Sequence, residues 1–167
     1  MGIWEGLLKE NRKILPGSKS CFVCGEENQA GYHLRSEWAG DKVVIRHTAQ
    51  ERDSGFRGMM HGGLLVTLLD EVMAWAVIIS TEKLFFAVEV NARFHKPVPI
   101  GSEIVIEGWV TRKSQRLCLT EGRVWLGENI EAANATAKFM KMPETLSRDA
   151  AQDLVLRQDD WDPRSKQ

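Results

Sequence analysis

Residues 61–80, HGGLLVTLLDEVMAWAVIIS, are apolar at most positions, and Asp70 and Glu71 are the only charged residues among them. The run is long enough for a helix of five to six turns and apolar on almost every side, so the rest of the domain is expected to wrap it. Four β-rich runs follow it, at residues 85–95, 103–112, 116–126 and 129–141. Their connections are short, at residues 97–101, 113–115 and 127–128, which predicts an antiparallel sheet. Ahead of the helix, residues 32–37 and 42–47 alternate apolar and polar around Gly40-Asp41, the pattern of a β-hairpin. Residues 48–60 carry no period, and Asp53-Ser54-Gly55 with Arg57-Gly58 predicts a loop feeding the helix. At the two ends, Ile3, Trp4, Leu7 and Leu8 have helical spacing, and the polar stretch after Pro143 predicts a helix over residues 144–157 with a frayed end.

The sum is an α+β domain in which a curled antiparallel sheet surrounds one long central helix. It divides into an N-terminal extension with a short helix over residues 1–20, a body over residues 21–143, and a polar tail over residues 144–167. A helix apolar all round needs cover on the side facing away from its own sheet. A second copy supplies it, so the expected assembly is a homodimer or a homotetramer.

Composition narrows the partners. The formal net charge of -1 argues against a general nucleic-acid binder. Three cysteines, an odd number, make no disulfide framework and favour a reducing compartment. The first thirteen residues lack an apolar signal core. The paired acids and glycine start of residues 61–80 argue against a membrane span despite its length. A cytoplasmic protein without a membrane role is the expectation.

The chemistry concentrates on the central run. Two adjacent carboxylates in a buried helix are costly unless paired, protonated or solvated by a cavity. Gly62 and Gly63, at the helix start, leave backbone N–H groups open to an approaching anion, which the helix dipole favours. Cys21 and Cys24 have the spacing of half a zinc site, but no second ligand pair follows, and nothing in the spacing requires His33. The expectation is therefore a turn with two small thiols and no metal. Cys118 alternates with Leu117 and Leu119 in a strand and reads as inert.

Three stretches, CFVCGEENQAGYHLR, GMMHGGLLVTLLDEVMAWA and AVEVNARFHKPVPIG, carry a resemblance to the hotdog-fold acyl-CoA thioesterases, in the branch of the phenylacetate-degradation and human thioesterase-superfamily proteins. The most specific mark is His-Gly-Gly followed by an acid nine residues after the histidine. The resemblance implies a hotdog fold with the active site between subunits and hydrolysis of an acyl-CoA-type thioester to free acid and thiol. It assigns Asp70 as the catalytic carboxylate, acting as general base or as nucleophile, Gly62 as the N–H that polarises the thioester carbonyl, and His61 as the residue shaping that turn, beside Gly63. No cofactor is implied beyond the coenzyme A of the substrate. Glu71, about 100° round the helix from Asp70, reads as a structural partner of an arginine or a backbone group.

Phe56, Met59, Met60 and Trp75 are candidates for an acyl pocket or for core. Arg93, His95, Lys96, Arg112, Lys113 and Arg116 are candidates for the coenzyme A phosphates, or for a solvated basic edge that deters aggregation. The chain departs from many relatives at auxiliary polar positions. Ser54 and Gly55 stand where Gln or Asn is common, and Ala74 and Ala87 where Ser or Thr occurs, leaving Ser54 and Thr67 as possible substitutes. These losses keep open the alternative of a non-catalytic module that binds or senses acyl-CoA.

Overall fold

The computed structural model describes residues 13–157 and residue 160. The helix expected over residues 1–12 and nearly all of the expected frayed end lie outside the described residues.

The central helix α1 (Gly62–Thr81) begins at His61, whose ring Nδ1 accepts the Gly63 N–H at 2.9 Å. It ends at Glu82, which turns left-handed at φ 56° and returns its N–H to Ile78 O. Both ends are thus closed by hydrogen bonds that a helix otherwise lacks. Leu68, Leu69, Val72, Met73 and Val77 are fully enclosed, and they fall on both sides of the helix axis. This is the burial expected of a helix with no polar face.

The sheet that encloses it has seven strands among the described residues, in the order β1 (Lys13–Ile14), β3 (Glu37–Trp38), β4 (Val43–Thr48), β6 (Glu103–Lys113), β7 (Leu117–Leu126), β8 (Ile130–Lys141), β5 (Phe85–Phe94). Every pairing is antiparallel. α1 lies across β4 to β8. Glycines set how closely it approaches. A Cβ on Gly108 would sit 2.9 Å from the backbone of Val72 and Met73, and one on Gly122 would sit 2.9 Å from Leu69. Side chains there would lift the helix off the middle of the sheet.

The long strands lie within one residue of the expected bounds at each end. The expected hairpin is only partly formed, because its first arm shrinks to Glu37–Trp38. The N–H groups of Tyr32 and Leu34 bond to Phe22 O (2.8 Å) and Val23 O (2.8 Å) instead of to β4, and His33 between them has φ 57°. The apolar alternation of residues 32–37 therefore packs a loop against the Cys21–Cys24 turn. The expected loop 48–60 holds a 3-10 turn, Glu51–Asp53, and two isolated bridges, Ser54 to Met60 and Met59 to Pro99. The tail helix α2 (Glu144–Gln152) is shorter than expected. It gives way to β9 (Leu154–Val155), which pairs with β2 (Gly17–Ser18) and so joins the two ends of the described chain.

Candidate active site

A cavity of about 580 Å³ opens at the N-terminal end of α1. His61, Gly62 and Leu65 form its floor, Gly55, Phe56, Met59 and Met60 one wall, and residues 94–98 the other. That volume suits a small-molecule site with apolar walls and few polar groups. The Phe94 ring crosses the helix start, 3.1 Å from where a Cβ on Gly62 would stand. No local pattern around residue 62 marks this ring, which comes from the last residue of β5.

The 51–60 loop is held by buried polar contacts. Asp53 is buried, its carbonyl accepts the His61 N–H at 2.8 Å, and its Oδ2 accepts the Gln50 N–H at 2.8 Å. The same oxygen meets His47 Nε2 at 2.6 Å. Burial opposes the Asp53 charge, but the Gln50 N–H and the His47 ring outweigh it and hold the carboxyl below its usual range. A depressed carboxylate contributes stability that is present above its unfolded value, about 3.9, and lost as pH falls through the lower folded value. Asp53→Ala is expected to cost about 2–3 kcal/mol, by leaving His47 and the Gln50 N–H without their acceptor. Denaturant melts at pH 7 and in the acid range check this, because the gap between the two proteins should narrow on acidification.

At the helix start the two glycines differ. The Gly63 N–H is taken by the His61 ring, whereas the Gly62 N–H has no acceptor among the described residues. The expectation of two open donors is corrected to one. Thr67 is likewise committed, its Oγ1 donating to Gly63 O at 2.9 Å, so its proton stays within the helix.

Asp70 sits two turns further along α1. Its Oδ1 is buried without a hydrogen-bond partner, and it forms no ion pair among the described residues. Burial pushes its pKa up, and the negative charge of a Cys21 thiolate adds to the shift. Glu71 is differently placed. Its Oε1 accepts the Trp75 Nε1–H at 3.1 Å, and its Oε2 lies 3.8 Å from Cys21 Sγ. Its partners are therefore an indole and a thiol, not the arginine or backbone group expected. Burial and the neighbouring Cys21 push the Glu71 carboxyl up to about 7. Trp75, bound in this way and buried, belongs to the core rather than to the cavity.

Of the other candidates, Phe56, Met60, His95 and Lys96 line the cavity, with Met59. Ser54, Thr67, Arg93 and Arg116 do not. Ser54 stands at the bridge to Met60, and Arg93 lies along β5 opposite Asn134. Arg116 sits in the β6–β7 turn, beside Lys113, whose ammonium bonds to Ser80 O at the far end of α1. His95 is oriented by Asn134 at 2.9 Å and Glu131 at 3.5 Å, while Lys96 has no carboxylate partner among the described residues.

Residues 57–133 match the family described as the thioesterase superfamily. Human acyl-coenzyme A thioesterase 13 is 30% identical over 84 residues, which cover 49% of this chain and 59% of that protein. The chain thus spans about 59% of the length of this curated relative. The fold is similar to that of zebrafish thioesterase superfamily member 2, with a TM-score of 0.57 at 22% identity over 60% of this chain and 74% of the other. It is also similar to a hypothetical thioesterase protein of Streptococcus pneumoniae solved with coenzyme A, with a TM-score of 0.58 at 17% identity over 80% and 90% of the two chains. The large antiparallel sheet around one central helix is the hotdog fold of these structures. The likeness to the thioesterase superfamily is thus one of sequence over residues 57–133 and one of fold beyond them.

Proposed function

We propose that a homodimer of this chain hydrolyses an acyl-CoA-type thioester, with Asp70 activating water and the Gly62 N–H holding the oxyanion. The observation that carries this reading is a pair of groups on one helix that have no partner among the described residues: a buried carboxylate oxygen and a first-turn N–H. Eight residues separate them, about 12 Å along the helix axis, so one carbonyl cannot touch both within a single chain. A second copy packed against α1 brings the partner's Asp70 to this chain's Gly62. The free edge of β5, with Phe86 and Val88 exposed on it, offers the surface for that copy.

In the reaction, the thioester carbonyl oxygen accepts the Gly62 N–H at the cavity floor. Water gives a proton to Asp70 and its oxygen attacks the carbonyl carbon. The negative charge that gathers on the carbonyl oxygen is stabilised by a donor already in place. Collapse breaks the carbon–sulfur bond, and the proton passes from Asp70 to the leaving thiolate. Lys96 and His95 at the cavity wall suit the coenzyme A phosphates, Lys96 as a point charge without a carboxylate partner among the described residues. Attack by Asp70 itself to give an anhydride uses the same groups.

One observation favours a module that binds acyl-CoA without cleaving it: Thr67 spends its hydroxyl on Gly63 O, so no described hydroxyl assists Asp70. Release of free thiol from a panel of short, aromatic and long acyl-CoAs separates the two. Turnover on at least one member is expected. Binding without thiol release on every member would establish the module instead.

A further inference from the structure

Away from the cavity, the turn that opens with Cys21 folds onto α1 and brings three metal-ligating atoms together. Cys21 Sγ, Cys24 Sγ and a Glu71 carboxylate oxygen all lie within 4.8 Å of one another. We propose that these three side chains bind one divalent cation of the zinc class, pinning the Cys21–Cys24 turn to the central helix next to Asp70.

The spacing suits the ion. Bond lengths of about 2.3 Å to sulfur and about 2.1 Å to a carboxylate oxygen place tetrahedral donors roughly 3.6–3.8 Å apart. Cys21 Sγ and Glu71 Oε2 already stand 3.8 Å apart, and no pair needs to close by more than about an ångström. Two sulfurs select a thiophilic metal over magnesium or calcium.

The surroundings are arranged for thiolates. Cys21 Sγ accepts the N–H of Val23 at 3.3 Å and of Cys24 at 3.5 Å, and Cys24 Sγ accepts the N–H of Ser18 at 3.4 Å. Such donors orient metal-bound sulfur and spread its charge. The turn is closed by the Gly25 N–H bonding to Cys21 O at 2.9 Å. A Cβ on Gly25 would fall 2.3 Å from that oxygen, so only glycine closes it this way. Opposite, the Trp75 indole holds Glu71 Oε1 and leaves Oε2 toward the sulfurs. No described lysine or arginine forms an ion pair with Glu71, so the cluster gathers acidic groups around a point that a cation would neutralise. With three protein ligands, the fourth position falls to water, which partly exposed Cys21 admits.

The test titrates Co²⁺ alone into the full-length, reduced, metal-stripped protein. The proposal expects one equivalent to produce a thiolate-to-cobalt charge-transfer band and the visible bands of a tetrahedral site. Zn²⁺ should then displace it and shield Cys21, the partly exposed thiol, from a thiol reagent until a chelator is added. Cys118→Ala should leave all of this unchanged, and Glu71→Gln should weaken Co²⁺ binding at least tenfold. Cys21→Ser and Cys24→Ser should each abolish the charge-transfer band or cut it sharply. Absence of the band in the wild-type protein, or its persistence in a Cys21→Ser, Cys24→Ser double variant, would overturn the site. So would a Cys21–Cys24 disulfide that forms in preference to metal binding when Zn²⁺ is present. The thiol-shielding arm uses only the wild-type chain, so it decides the matter even if a cysteine variant does not fold. It also reads nothing from thioester turnover, and stands or falls separately from that activity.

Discussion

Asp70→Asn is expected to lower kcat by about 10²–10⁴-fold, the usual worth of a positioned general base, and at the same time to raise the melting temperature at neutral pH. Both effects come from one fact, that this carboxylate is buried without a hydrogen-bond partner for Oδ1. Burial, with Cys21 nearby, raises its pKa above the usual carboxylate value. The sign follows from linkage. A raised group contributes its full stability below its unfolded pKa and loses it as pH rises through the folded one, because the ionised form is then forced into an apolar setting. Asparagine never ionises, so the variant escapes that loss. The difference in melting temperature should vanish below about pH 3.9, where both side chains are neutral in folded and unfolded chains alike. Catalysis runs the other way, since only the carboxylate takes a proton from water. The rate of the wild-type protein should therefore climb with pH through the raised value, on an acid limb lying above that of an ordinary aspartate. A pH series of thiol-release rates and thermal melts on the two proteins measures everything required. An unchanged rate in the variant would remove Asp70 from the chemistry.

Much of the architecture could be read ahead of the structure because it rests on strong local patterns. Residues 61–80 leave no polar face for a surface helix, and the turns at residues 113–115 and 127–128 are too short for anything but antiparallel neighbours. The stretch from Tyr32 to Glu37 is mostly loop rather than strand because alternation records burial on two sides, not strand pairing. Here the burial comes from Phe22 and His47, whose rings pack on Tyr32. The candidate residues can be grouped from sequence where they are neighbours in the chain, as with His61 at the start of α1 and Gly62 and Asp70 along it. The grouping is hidden where distant segments meet. Glu71 and Cys21 are fifty residues apart, and no local signal says which loop will cover which turn of the helix. The third donor proposed above for the Cys21–Cys24 pair therefore comes from a helix to which no local spacing points. Phe94 over Gly62 was hidden for the same reason.

Replacing Gly62 by proline should remove the proposed oxyanion donor while leaving the helix intact. Gly62 is the first residue of α1, where proline is well tolerated because that N–H has no intrahelical partner to lose. The preceding residue meets the other requirement, since His61 has φ -67° and ψ 128°, extended backbone that a following proline favours. The His61 cap also survives, because it engages the Gly63 N–H. Folding stability should hold or rise by up to about 1 kcal/mol, as proline restricts the unfolded chain. The rate should fall by about 10²–10³-fold, the effect of deleting one oxyanion donor. The added ring atoms also press on Phe94, so Gly62→Ala serves as the comparison: its Cβ meets the same ring 3.1 Å away but keeps the N–H. Phe94 is half exposed, with room on its solvent side to yield, so alanine should change the KM for the acyl group more than kcat. If both variants lose turnover equally, the ring contact and not the N–H governs the reaction. If proline leaves kcat intact, the thioester carbonyl is held elsewhere, and the unspent donor at the start of α1 is only the ordinary loose end of a helix.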